Sequence, residues 1–130
     1  MVNMTFKVDH AKIEQLDYLT VPSLKYFIKV VMNIYGFKPL GNGVYQHNSD
    51  NLMKLFSSVI VDFEQHDAVI DNLKKWTGEE NGKTYDLLDL YKKHRQPFYE
   101  SVIRPQRKRE AEARKKAFLE KMKRRKQEEE

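Results

Sequence analysis

The chain contains no cysteine. A disulfide scaffold, a zinc finger and a thiol nucleophile are therefore excluded. No apolar run approaches the ~18 residues that a membrane-spanning helix needs. Met1 to His10 lacks the basic-then-apolar order of a secretory signal. The expectation is a cytoplasmic protein with no membrane partner. Three common catalytic patterns are missing as well: a Gly-rich phosphate loop, a nucleophile elbow and a paired-histidine zinc motif.

What the chain has is charge. Charged residues make up 33% of the 130 positions, above the usual quarter, while 40% apolar and 12% aromatic residues are enough for one core. The length fits one domain, or a small domain with an appendage. The charge is unevenly placed. Residues 104–130 hold 12 basic and 6 acidic side chains, a net of +6, whereas residues 1–103 hold 12 and 13, a net of −1. The basic pI near 9.3 belongs to the tail and not to the body.

Met4 to Val8 alternates apolar and polar residues, as a short strand does. Ala11 to Tyr18 fits a helical turn or a loop. Leu24, Phe27, Ile28, Val31 and Tyr35 then fall on one helical face, with Pro22 and Ser23 suited to the first turn and Gly36 to the end. Phe37 to Gln46, centred on Gly41-Asn42-Gly43, reads as a tight hairpin. A second helix carries Leu52, Phe56, Val59, Ile60 and Phe63, with Asn48, Ser49 and Asp50 as N-cap candidates. Val69, Ile70, Leu73 and Trp76 look helical by period, though a strand fits so short a run. Gly78 to Gly82 reads as a polar loop, and Thr84 as the cap of a helix bearing Leu87, Leu88 and Tyr91. Pro97 and Pro105 bracket a connector. From Gln106 the composition becomes Arg, Lys, Glu and Ala, which all sustain a helix.

This order predicts an α+β protein: a small ferredoxin-like sandwich over residues 1–96, then the connector and a charged helical tail over 97–130. The rival is a mostly helical bundle with a β-wing, as in winged helix-turn-helix modules.

Tyr35-Gly36-Phe37, Tyr45 and Leu55-Phe56, at their observed spacings, resemble the core of the virulence-associated protein D family. Thr84-Tyr85-Asp86-Leu87-Leu88-Asp89-Leu90 is similar to that family's aromatic and acidic C-terminal segment. The likeness covers residues 4–92. It implies a ferredoxin-like homodimer with endoribonuclease activity. It also implies a functional aspartate on the first strand, after a phenylalanine. Here that pair is Phe6-Lys7, so the acid is missing at its expected place. Asp9 lies two residues on and, with a period of two, on the same strand face as Lys7. Asp9 is thus the candidate catalytic and metal-binding acid. Two copies paired across a dimer axis would hold Mg²⁺ through hard oxygen ligands. The plain alternative is a solvated residue at a strand end.

Other candidates are weaker. His47 and Asp50 suit a metal pair or an N-terminal capping cluster. His66 and His94 have no partner in sequence. Tyr26, Tyr35, Tyr45, Phe56 and Trp76 fit a base-stacking platform, but their spacing makes them core residues first, with Tyr45 best placed for exposure. The tail is the strongest signal. Arg104, Arg107, Lys108, Arg109, Arg114, Lys115, Lys116, Lys121, Lys123, Arg124, Arg125 and Lys126 form three basic clusters suited to phosphate contact. Glu110, Glu112 and Glu120 sit four residues before Arg114, Lys116 and Arg124, which supports an exposed helix. Ala111, Phe118 and Met122 form a thin apolar line suited to a protein groove.

The leading expectation is a protein that contacts RNA or DNA, with cleavage and Mg²⁺ following only if the resemblance extends to activity. Two rivals stand beside it. One is a non-enzymatic phage- or plasmid-encoded modulator that inhibits a host nucleic-acid machine, such as a CRISPR effector. The other is a ribonucleoprotein subunit.

Overall fold

The computed structural model describes residues 1–66 and 69–129. The chain divides into two compact units, Met1–Tyr91 and Lys92–Glu130.

The first unit is built on a five-stranded antiparallel sheet. β1 (Val2–Val8) precedes a short α1 (His10–Glu14) and a long α2 (Val21–Ile34). β2 (Lys38–Gly41) and β3 (Val44–His47) form the hairpin, and α3 (Leu52–Glu64) follows. A single 3₁₀ turn, Ile70–Asn72, leads into β4 (Leu73–Glu80), β5 (Lys83–Asp86) and α4 (Leu87–Leu90). The sheet order is β2-β3-β1-β4-β5. Strands β1 to β4 with α2 and α3 are the βαββαβ pattern of a ferredoxin-like sandwich. β5 is an additional edge strand. The extended antiparallel sheet rules out the winged helical bundle.

Register explains the core. Val2, Met4, Phe6 and Val8 are all buried, and the alternate residues Asn3, Thr5 and Lys7 lie on the opposite face. Met4 pairs with Tyr45 and with Gly78, and Phe6 pairs with Trp76. The buried stripes of α2 (Leu24, Ile28, Val31, Met32) and α3 (Leu52, Phe56, Val59, Ile60, Phe63) join the same cluster. Thr20 caps α2 through Ser23 N–H, and Asn51, rather than the three residues before it, caps α3 through Lys54 N–H.

Three other expectations are corrected. The segment after Asn72 is a strand and not a helix, because Leu73, Trp76 and Gly78 are buried beside β1 while Lys74 and Lys75 are exposed. Gly78 is inside that strand, and Asn81-Gly82, both at positive φ, make the turn. Thr84 lies in β5, and Asp86 caps α4 by accepting from Asp89 N–H at 3.0 Å.

Gly43 fixes the β2–β3 hairpin against β1. Its φ is +78°, and its carbonyl accepts from Phe6 N–H at 2.9 Å. A Cβ there would strike the Phe6 carbonyl oxygen. Gly41, at φ +93°, would place a Cβ in open space. Gly43→Ala is therefore expected to lose roughly 2–3 kcal/mol, because left-handed strain and the clash act together. Gly41→Ala should lose about 1 kcal/mol, from the dihedral alone. Urea denaturation of both variants tests the difference.

In the second unit the segment between the prolines is helical. A π turn (Tyr91–Arg95) leads to α5 (Gln96–Phe98), a second π turn (Tyr99–Ile103) leads to α6 (Arg104–Glu129), and each proline sits two residues after a π turn. Proline lacks an N–H and its ring crowds the carbonyl four residues back; a widened turn relieves that crowding. Ser101 Oγ also donates to the Pro97 carbonyl at 2.6 Å. Tyr99 is buried, with the Arg104 and Arg107 guanidiniums 5.0 and 5.8 Å from its ring centre.

Candidate functional site

A cleft of about 620 Å³ opens where β1 ends. Its lining comes from four places. β1 and the start of α1 supply Phe6 to Ala11, α2 supplies Lys25 and Ile28, and the hairpin supplies Asn42, Gly43 and Tyr45. The fourth is Lys74 of β4.

Local irregularity creates the opening. Lys7 pairs with Lys75, but Val8 pairs with Leu73, so Lys74 is an extra residue on β4. Such a bulge bends the strand and re-aims a side chain. Asp9 then turns the chain out of the sheet. Its N–H donates to the Asn72 carbonyl at 2.8 Å, and its Oδ1 accepts from Lys12 N–H at 3.1 Å. The floor is apolar, from Phe6, Val8, Ile28 and Tyr45. Burial raises the pKa of the Tyr45 hydroxyl.

The cleft's electrostatics favour an anion. Among the described residues, Lys7, Lys25 and Lys74 share the lining with one carboxylate, Asp9, and with His10. Residues 1–91 as a whole hold 9 lysines, no arginine and 12 acids, a net of −3. A third of that unit's cations line one concavity on an otherwise acidic body.

Asp9 therefore lies in the cleft, but as the N-cap of α1. One chain does not fit Mg²⁺ there. Among the described lining residues Asp9 is the sole carboxylate, one of its oxygens accepts a backbone N–H, and the other charged residues there are lysines. Among the described residues no group of three or more potential ligands gathers anywhere. Asp9→Ala should lose about 1 kcal/mol through the missing cap, whereas Asp9→Asn keeps an oxygen acceptor and should remain close to wild type. Thermal melts of the two variants separate capping from charge.

His47 and Asp50 are engaged separately. His47 Nδ1 accepts from Ser49 N–H at 2.8 Å and its ring packs on Phe37, while Asp50 holds the N-terminal ammonium at 2.8 Å. That ammonium lowers the Asp50 pKa. His66 packs edgewise on Phe27. The five aromatics do not form a platform. Trp76, Phe56 and Tyr45 are buried, against the expected exposure of Tyr45, which pairs with Met4 on the covered sheet face. Tyr35 is half-buried, its pKa raised by a hydrogen bond to Asp62, and only Tyr26 is open.

The tail cations lie on α6. From Lys108 to Glu128 every residue is exposed. Arg104 and Arg107 are engaged at the root by Tyr99, and Arg104 also lies 4.0 Å from Glu100. The other ten basic residues, Lys108 to Lys126, are open to solvent.

Lys25 and Lys74 escaped the sequence reading. They are 18 and 67 positions from Lys7 and share no spacing pattern with it. Only the bulge and the packing of α2 gather them.

No protein-family model matches the chain, and neither a curated protein nor a solved structure is significantly similar to it. Among the described residues no helix is long and apolar enough to cross a membrane.

Proposed function

We propose that the chain is a nucleic-acid-contacting protein whose α6 is an electrostatic arm. The observation that carries this is the exposed helix with ten solvent-open basic residues between Lys108 and Lys126. Cations at this density gain affinity by releasing counterions from phosphates, whatever the base sequence. Residues 92–130 carry 15 basic and 7 acidic side chains, a net of +8 against −3 for residues 1–91. Long-range attraction to phosphate therefore comes from the second unit. Fluorescence anisotropy of labelled RNA and DNA against salt tests the reading. Substituting Lys123, Arg124, Arg125 and Lys126 with Gln should weaken all sequences alike; unchanged binding would refute it.

Endoribonuclease action, as in the family that the sequence resembles, needs a second carboxylate that one chain does not bring to Asp9. A second copy is the natural source of it. RNA cleavage that requires Mg²⁺ and is lost in Asp9→Asn would support that mechanism. Cleavage retained by Asp9→Asn would remove this residue from the chemistry.

A second reading is protein docking, favoured by Phe118, Leu119 and Met122, each at least half exposed on α6. It suits an inhibitor or modulator of a nucleic-acid machine. Phe118→Ser with Met122→Ser should abolish partner capture and leave the salt dependence of RNA binding intact.

A further inference from the structure

We propose that the cleft at the end of β1 binds a nucleoside phosphate. Lys25 and Lys74 hold the phosphate, and the apolar lining takes the base. The inference rests only on residues of the first unit and does not depend on the α6 reading.

Three lysines line one concavity, where their like charges repel one another. The one acid among the described lining residues, Asp9, already has Oδ1 committed to Lys12 N–H. Lys12 does not join the lining; its Nζ donates to the Asp71 carbonyl. A cation would add to the repulsion, and a neutral ligand would leave it in place. A phosphate dianion relieves it, with a larger gain than a single carboxylate would bring.

A volume of about 620 Å³ lies within the range of small-molecule sites, and a bare phosphate would fill little of it. The remainder must be organic. Phe6, Val8, Ile28 and Tyr45 give that part an apolar lining, which suits a base better than a bare sugar. Asn42 and His10, both lining residues, carry an amide and an imidazole able to pair with polar edges of the base or with sugar hydroxyls.

The geometry also accounts for the lysines' placement. All three are exposed and carry no part of the core. The bulge that turns out Lys74 interrupts the β1–β4 ladder at that one place. A strand built for stability alone would not need it there.

A free nucleotide and the phosphorylated end of a strand present the same chemistry. Calorimetric titration of the full chain with AMP, adenosine, inorganic phosphate and a 5′-phosphorylated trinucleotide separates them. AMP should bind, with adenosine and phosphate each at least roughly tenfold weaker. Lys25→Gln and Lys74→Gln should each weaken AMP by roughly tenfold, with thermal melts unchanged. Lys29→Gln, also on α2 but outside the lining, should leave AMP binding unchanged. Binding of AMP with the trinucleotide excluded identifies a free-nucleotide site. Binding of the trinucleotide that Lys25→Gln weakens, alone or as well, identifies a strand-end site. The proposal is overturned if neither binds, if adenosine binds as tightly as AMP, or if Lys29→Gln weakens AMP as much as Lys25→Gln does. The α6 Gln variant provides the separation from the arm: it should keep AMP affinity whether or not it loses long RNA.

Discussion

Trp76→Ala is expected to lose about 3–5 kcal/mol of stability. Trp76 is completely buried on β4, at the centre of an aromatic cluster. Its ring stacks on Phe6 at 5.3 Å between centroids and meets Phe56 at 5.1 Å and Phe63 at 5.5 Å. Those contacts tie the central strand, β4 and α3 together, so truncation leaves a cavity that no single neighbour can fill. A unit of this size is typically stable by only about 5–14 kcal/mol, so the loss is a large fraction of the total. Trp76→Phe makes a pointed comparison. Among the described residues the buried indole N–H has no hydrogen-bond acceptor. Phenylalanine removes that orphaned donor along with some volume, and the two effects oppose each other. It should therefore lose less than about 2 kcal/mol. Because Trp76 is the only tryptophan, both variants are best followed by far-UV circular dichroism in urea. A loss under about 1 kcal/mol for Trp76→Ala would show that the cluster is more pliable than its packing implies.

The same residue shows where sequence reading succeeds and where it stops. α2 and α3 were legible because each places four or more apolar residues on one helical stripe, between identifiable caps. The hairpin was legible because Asn42 and Gly43 accept the positive φ that a tight turn demands. β4 was not. Leu73 and Trp76 are three apart, like neighbours on a helix, because the bulge at Lys74 inserts one residue into a period of two. That irregularity misdirected the assignment of β4 and opened the cleft. The tail was legible as a charged helix because it needs no tertiary partner to explain its composition. The prolines misled for a related reason. A proline usually ends a helix, and nothing in the sequence marks the π turns that let the helical path continue through Pro97 and Pro105.

Substituting Lys123, Arg124, Arg125 and Lys126 with Gln is expected to weaken duplex binding by roughly 50- to 100-fold at about 0.1 M salt. The factor follows from geometry. α6 has 26 residues, and at 1.5 Å per residue it spans about 39 Å. Its basic residues occur in runs, and successive helical residues point about 100° apart. They cannot all face one line of phosphates, so only about four to six of the ten solvent-open cations engage a duplex at once. The wild-type log–log salt slope should then be about −4 to −5 on duplex DNA and shallower on single strands. Removing four of the ten cations should eliminate about two contacts, which brings the slope to about −3. Each lost contact is worth roughly eightfold at that salt concentration, and two give the stated range. Scrambled duplexes of equal length should lose the same factor, because phosphate contacts carry no base information. A variant that kept the wild-type slope, or that lost affinity for one sequence only, would move the nucleic-acid contact off α6. The exposed Phe118, Leu119 and Met122 would then make α6 a protein-docking helix, with its cations as the rim.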